Sequence, residues 1–267
     1  MAAGPQLQTT AVVLSTLDYG DADRIVRLLT PDKGRVSALA RRARARQPRF
    51  GGALDVGNRT EVTLRAGRGS LWFLNAAKLQ DGRAGAHQDL SLLSLLAYAC
   101  ELCGGLARED SPEPRLYGLL DTAATLLDAM TAPPGGAFRV GLEAKALTFA
   151  GFTPVLTRCA VCSDTFQDTL EPGDSPRSAD PMAFHAAAGG AVHRRCDAQG
   201  TRVSHAWLQA IEHARRTPLR ELVDKALPTG PSWALAQAAE NQLGRALKSR
   251  SVLASLLPTT DTDTVAP

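Results

Sequence analysis

TTAVVLSTLDYGDADRIVRLLTPDKGRVSALARRARARQPRFGG, residues 9–52, decides how the front of this chain folds. TTAVVLSTL is β-branched and apolar, and RIVRLLT follows after the polar break at Asp18–Asp23. Pro31-Asp32-Lys33-Gly34 reads as a turn, and RVSALA then puts Val36, Ala38 and Ala40 on one face. Working outward, RTEVTLR sets Val62 and Leu64 against Glu61, Thr63 and Arg65, and Gly67-Arg68-Gly69 turns the chain into SLWFLNAAKL. Five short strands without a useful helix predict a small barrel, because closure removes exposed edges. The strand count points to an OB-type barrel over residues 1–82.

The link between the third and fourth strands carries Arg41, Arg42, Arg44, Arg46 and Arg49, with Lys33 and Arg35 on the turn and strand leading in. Residues 1–83 hold fourteen Lys/Arg against seven Asp/Glu, a net +7, whereas the rest holds sixteen against twenty, a net −4. Arginine forks match phosphate oxygens, so these seven residues are the expected DNA contacts. The plainer alternative is a solvated basic loop. Adjacent strand residues face opposite ways, so one of Trp72 and Phe73 enters the barrel while the other faces out, where it could stack on a base. Phe50 closes the basic run.

From residue 83 to 257 the pattern is helical. SLLSLLAYACELC is apolar nearly all round and predicts a buried helix, with Cys100 and Cys103 as inert core thiols. Leu116, Leu119, Leu120, Ala123, Leu127 and Met130 recur at helical spacing, and a further helix is expected over 137–150. Ser204 is placed to cap a helix carrying Trp207, Leu208 and Ile211. Ser232 is placed to cap another running through Leu247 into the basic end RALKSR, where cations suit a final turn. The tail from 258 to 267 reads as disordered.

Within that helical region lies an insertion, 155–200, with two short pairs: Cys159-x-x-Cys162 and His193-x-x-Cys196. A two-residue gap turns both side chains of a pair onto one point, and zinc takes four such donors in a tetrahedron. Gly189 and Gly190 precede the second pair, where a ribbon needs backbone freedom. The expected cofactor is one structural Zn2+, against the alternatives of a loose dithiol or four unrelated residues.

Five cysteines in this pattern suit a reducing compartment better than a disulfide scaffold. The start MAAGPQLQTT lacks the features of a signal peptide, and no run of eighteen apolar residues occurs. The expectation is a cytoplasmic, nucleoid-associated protein without a membrane partner.

Several of these stretches resemble the bacterial recombination mediator family RecO. They are LDYGDADRIVRLLTPDKGRVSALARRAR, LTFAGFTPVLTRCAVC, AFHAAAGGAVHRRC and NQLGRALKSRSVL, spread in order over nearly the whole chain. The resemblance implies a non-enzymatic protein that binds single- and double-stranded DNA and anneals complementary strands. It also implies that, with RecR, the protein helps load RecA onto DNA coated with single-strand-binding protein, whose acidic C-terminal tail it recognises. Zinc-bearing members of the family typically have Cys where this chain has His193. Imidazole is an acceptable donor, so a Cys3His site is expected.

Two rivals come from other classes. Zinc deaminases pair Pro-Cys-x-x-Cys with His-x-Glu. Here Arg158 precedes Cys159, and none of the five histidines has Glu two residues on. Four protein donors also leave no open position for a water. The second rival is a zinc-stabilised interaction adaptor without annealing activity.

Overall fold

The computed structural model describes residues 6–46, 49–67, 69–166 and 181–257. The tail expected to be disordered, 258–267, and the insertion segment 167–180 lie outside the described residues.

The first five strands are β1 (Gln6–Tyr19), β2 (Asp23–Thr30), β3 (Gly34–Ala40), β4 (Arg59–Arg65) and β5 (Leu71–Asp81). They close into a barrel in the order β1-β2-β3-β5-β4. The β3–β5 pairing is parallel and the other four are antiparallel, as an OB-type barrel requires. Period-two alternation decides which side chains fill it: Val13, Val26, Leu28, Val36, Ala38, Ala40, Val62, Leu64 and Leu74 form the core. Among the described residues between β3 and β4, the chain makes a short 3-10 turn, Gly51–Leu54, whose buried Leu54 joins Phe50 in that core. Phe50 is therefore a packing residue.

The Pro31–Gly34 turn needs its glycine. Gly34 has φ +59°, and a Cβ there would stand 2.2 Å from the carbonyl oxygen of Arg108. The Thr30 hydroxyl accepts from the Lys33 amide at 3.1 Å and donates to the Gly34 carbonyl at 3.2 Å.

Helices α1 (Leu90–Leu106) and α2 (Pro114–Asp128) come next, and α1 is buried on most sides, as its composition predicts. Asp89 caps α1 by accepting from the Leu92 amide. Gly104 of α1 allows the barrel residue Leu14 to approach, since a Cβ there would come within 2.6 Å of Leu14 Cδ1. Compact contacts gather Met1–Pro133 with Lys248–Leu256 in one unit and Pro134–Leu247 in another. That grouping keeps α1 and α2 with the barrel, whereas the division expected after residue 82 follows the change of secondary structure.

The second unit holds α3 (Gly136–Phe149), a small sheet of β6 (Met182–His185), β7 (Gly190–His193) and β8 (Thr201–Arg202), then α4 (His205–Arg216) and α5 (Ala234–Leu243). Ser204 caps α4 as expected, accepting from the Trp207 amide at 3.2 Å. The expected helix from Ser232 to the end of RALKSR does not run through. Its N-cap is Trp233, and α5 stops where Gly244 turns left-handed at φ +63°. A new helix, α6 (Lys248–Leu256), then starts within the first unit. Lys248 and Arg250 thus stand in a first turn rather than a last one, where the helix dipole disfavours cations. Glu101 of α1 answers this by accepting from the backbone amides of Lys248 and Ser249. Among the described residues, no helix is long and apolar enough to cross a membrane.

Candidate metal centre and nucleic-acid face

Hydrogen bonding of the 155–160 segment to β7 brings the two metal pairs together. The Ala191 amide donates to the Val155 carbonyl at 2.7 Å, and the Ala160 amide donates to the Ala191 carbonyl at 2.8 Å. Gly190 permits this, since a Cβ there would lie 2.2 Å from the Val155 oxygen. Gly189 makes the hairpin turn at φ +76°. Cys159 and His193 become buried neighbours, Cys162 stays exposed and Cys196 is half-buried.

The donor atoms of Cys159, Cys162, His193 and Cys196 all lie within 4.8 Å of one another. Cys162 Sγ is 3.4 Å from His193 Nδ1. A tetrahedron with Zn–S of ~2.3 Å and Zn–N of ~2.0 Å sets its S···N edge near ~3.5 Å, so the side chains are spaced as such an ion requires. The His193 amide donates to Cys159 Sγ at 3.4 Å, and the Phe166 ring meets the imidazole edge-on with centroids 4.9 Å apart. Burial works against a Cys159 thiolate, but the backbone amides of Cys162, His193 and Val161 and the Cys162 thiol outweigh it and pull Cys159 down to about 6. A thiol already inclined to ionise suits metal binding. Cys100 and Cys103 behave oppositely. Both are buried in α1, and burial pushes Cys100 up to about 12 and Cys103 higher still.

The seven expected DNA contacts separate into two groups at opposite ends of β3, about 20 Å apart for a strand of that length. Lys33 and Arg35 face the link after α1. Lys33 Nζ is 3.8 Å from Asp110, and Arg35 pairs with Glu109 at 3.1 Å while donating to the Gly104 carbonyl. They fasten the barrel to its neighbouring helix.

Arg41, Arg42, Arg44, Arg46 and Arg49 cluster at the other end, and all five are exposed. Arg42 adopts φ +60°, with its amide donating to Asp23. Arg44 pairs with Asp18 at 3.3 Å, and Arg49 donates to the Asn75 carbonyl. The guanidinium of Arg41 stands 5.0 Å from the centroid of Phe73, and that of Arg65 stands 4.7 Å from the same centroid.

Of the two aromatics on β5, Trp72 packs against the barrel core, and Phe73 lies on the outer wall. Arg65 was not among the expected contacts. Its signal was nonetheless in the sequence, because strand alternation puts it on the outward face of RTEVTLR. Arg83 shows the reverse error of counting every cation as surface charge. It is 1 % exposed and bonded to Asp81 at 2.7 Å and Asp121 at 2.9 Å.

Known proteins resemble this chain along most of its length. A family model described as "Recombination protein O N terminal" matches residues 1–83, and one described as "Recombination protein O C terminal" matches residues 87–251. A DNA repair protein RecO of Myxococcus xanthus is 37 % identical over 78 % of this chain and 82 % of its own length. The relative of the same name from Anaeromyxobacter dehalogenans (strain 2CP-C) is 34 % identical over 95 % of this chain and 98 % of its own. One from Geobacter sulfurreducens is 32 % identical over 94 % and 99 %.

Proposed function

Because this chain belongs to the RecO family of DNA repair proteins, we propose that it is a recombination mediator that binds single- and double-stranded DNA and anneals complementary strands. The observation that carries this reading is the cluster of exposed arginines, 41 to 49, at one rim of an OB-type barrel. Annealing requires two like-charged strands to meet while their bases stay free. Guanidinium groups that neutralise phosphates without reading sequence supply that condition. Partnership with RecR, recognition of the acidic tail of single-strand-binding protein, and loading of RecA are further parts of the proposal, in the cytoplasm where the nucleoid lies.

We assign one zinc ion to Cys159, Cys162, His193 and Cys196. The metal would supply a cross-link between the two ends of the insertion. Four protein donors fill a tetrahedron and leave no position for a reacting water, so the zinc's role is structural, which supports reading the protein as a non-catalytic mediator.

The test is strand annealing by the purified protein, with Arg41, Arg42, Arg44 and Arg46 changed together to Ala as the variant. The wild type is expected to accelerate pairing. The variant should lose single-strand affinity at low salt, and its log–log salt slope should fall by about 3, from ~0.7 per phosphate contact. An adaptor of the second class leaves pairing at its spontaneous rate. Unchanged affinity in the variant would remove this loop from the mechanism.

A further inference from the structure

The outer wall of the barrel carries a row that stands apart from the barrel core, with only Leu39 in it buried. Leu17 pairs with Ile25, Ile25 with Leu39, Leu39 with Phe73, and Phe73 with Arg65, one residue from each of the five strands. Residues directly opposite in a ladder share a face. The neighbouring row, Thr16, Val26, Ala38 and Trp72, contains the core side chains Val26 and Ala38, so the first row faces outward. It stays open at its far end, where Leu17 is 63 % exposed and Tyr19, two residues on, is 55 % exposed. An apolar strip ending in an aromatic ring under two guanidinium groups offers a flat π surface with cations at its margin. A flexible polyanion that displays planar rings is its chemical complement.

We infer that Phe73 is the stacking platform for an unpaired nucleobase, with Arg41 and Arg65 the cations that take the flanking phosphates. This rests on the DNA-binding reading above and adds to it a basis for choosing single strands. In the free protein the two guanidinium groups occupy the ring. An arriving base presents a larger π surface and displaces them toward its own backbone. Only an unpaired base can do so, because in a duplex both faces of a base are covered by its stacked neighbours. Pairing with a complementary strand therefore withdraws the base from Phe73, and the same contact that holds a single strand lets the annealed product go.

The experiment compares an oligo-dT with an abasic strand of the same length and charge, by fluorescence anisotropy at one fixed salt concentration. The full-length wild type is expected to bind dT about ten-fold or more tightly than the abasic strand, the size of a stacking contact. Phe73→Leu keeps an apolar side chain without a π face. It should bind both strands alike, at the wild type's abasic affinity, while duplex binding is unchanged.

Phe73→Trp should keep the preference. Its added indole emission, taken as the difference from wild type, should be quenched by dT and not by the abasic strand. This variant carries the test should Phe73→Leu fail to fold. A wild type indifferent to the bases, a Phe73→Leu protein that retains the preference, or an unquenched Phe73→Trp protein each overturns the inference, while leaving DNA binding by the arginines standing. A wild type that holds none of the three DNAs at low salt overturns the functional reading itself.

Discussion

Cys159 and Cys100 are the same residue in opposed settings. Amides converge on the first and draw its proton away despite burial, whereas burial holds the second protonated, only partly offset by Arg83 and the Gly57 backbone. This separation predicts a reactivity pattern. With a chelator in excess, an alkylating reagent should label the exposed Cys162 and half-buried Cys196 first, and Cys159, 1 % exposed but inclined to ionise, once loss of the metal loosens the insertion, giving three adducts by mass spectrometry without denaturant. Cys100 and Cys103 should react only after denaturant is added, and zinc should slow the first three. Labelling of either helix cysteine under native conditions would contradict its place in the core. The Cys3His cluster was legible because spacing within each pair is local chemistry. Arg83 was not, because its partner Asp121 lies 38 residues further on and its near partner Asp81 looks in sequence like any surface neighbour. The ion pairs of Arg35 and Lys33 were unreadable for the same reason, since Glu109 and Asp110 come from the far side of α1.

Among the elements, those with local signals were readable: five strands by alternation, and α4 by Ser204 and the apolar spacing behind it. The break between α5 and α6 was not, because Leu235, Ala239, Leu243 and Leu247 keep helical spacing across Gly244, and spacing alone carries a helix through the glycine. The residue decides the matter by its backbone. At φ +63° a side chain is strained even though a Cβ there would meet nothing within 4 Å. Gly244→Ala should therefore cost about 1 kcal/mol, with no new clash, measured as a lower denaturant midpoint at unchanged slope. An unaltered midpoint would mean the left-handed turn is not needed. The start of α6 was invisible for another reason: its capping carboxylate, Glu101, is 147 residues upstream of Lys248.

At the scale of the whole molecule, the barrel leans on the first two helices. The Arg35 amide donates to the Arg108 carbonyl, the Glu113 amide donates to the Pro31 carbonyl, and Leu14 lies against Gly104. We propose that residues 1–82 alone make an incomplete folding unit. A fragment 1–82 should melt at lower temperature than 1–133, or aggregate, in thermal unfolding followed by circular dichroism. Equal melting temperatures would favour the division expected after residue 82. Neither fragment includes α6, which packs on α1 from the other end of the sequence. During synthesis a ribosome delivers α1 long before α6, with the whole of Pro134–Leu247 still to emerge between them. The apolar side of α1 that awaits this last helix stays uncovered for that interval. The nascent chain is then most vulnerable to chaperones, proteases and its own kind, and the final two turns of helix end that exposure.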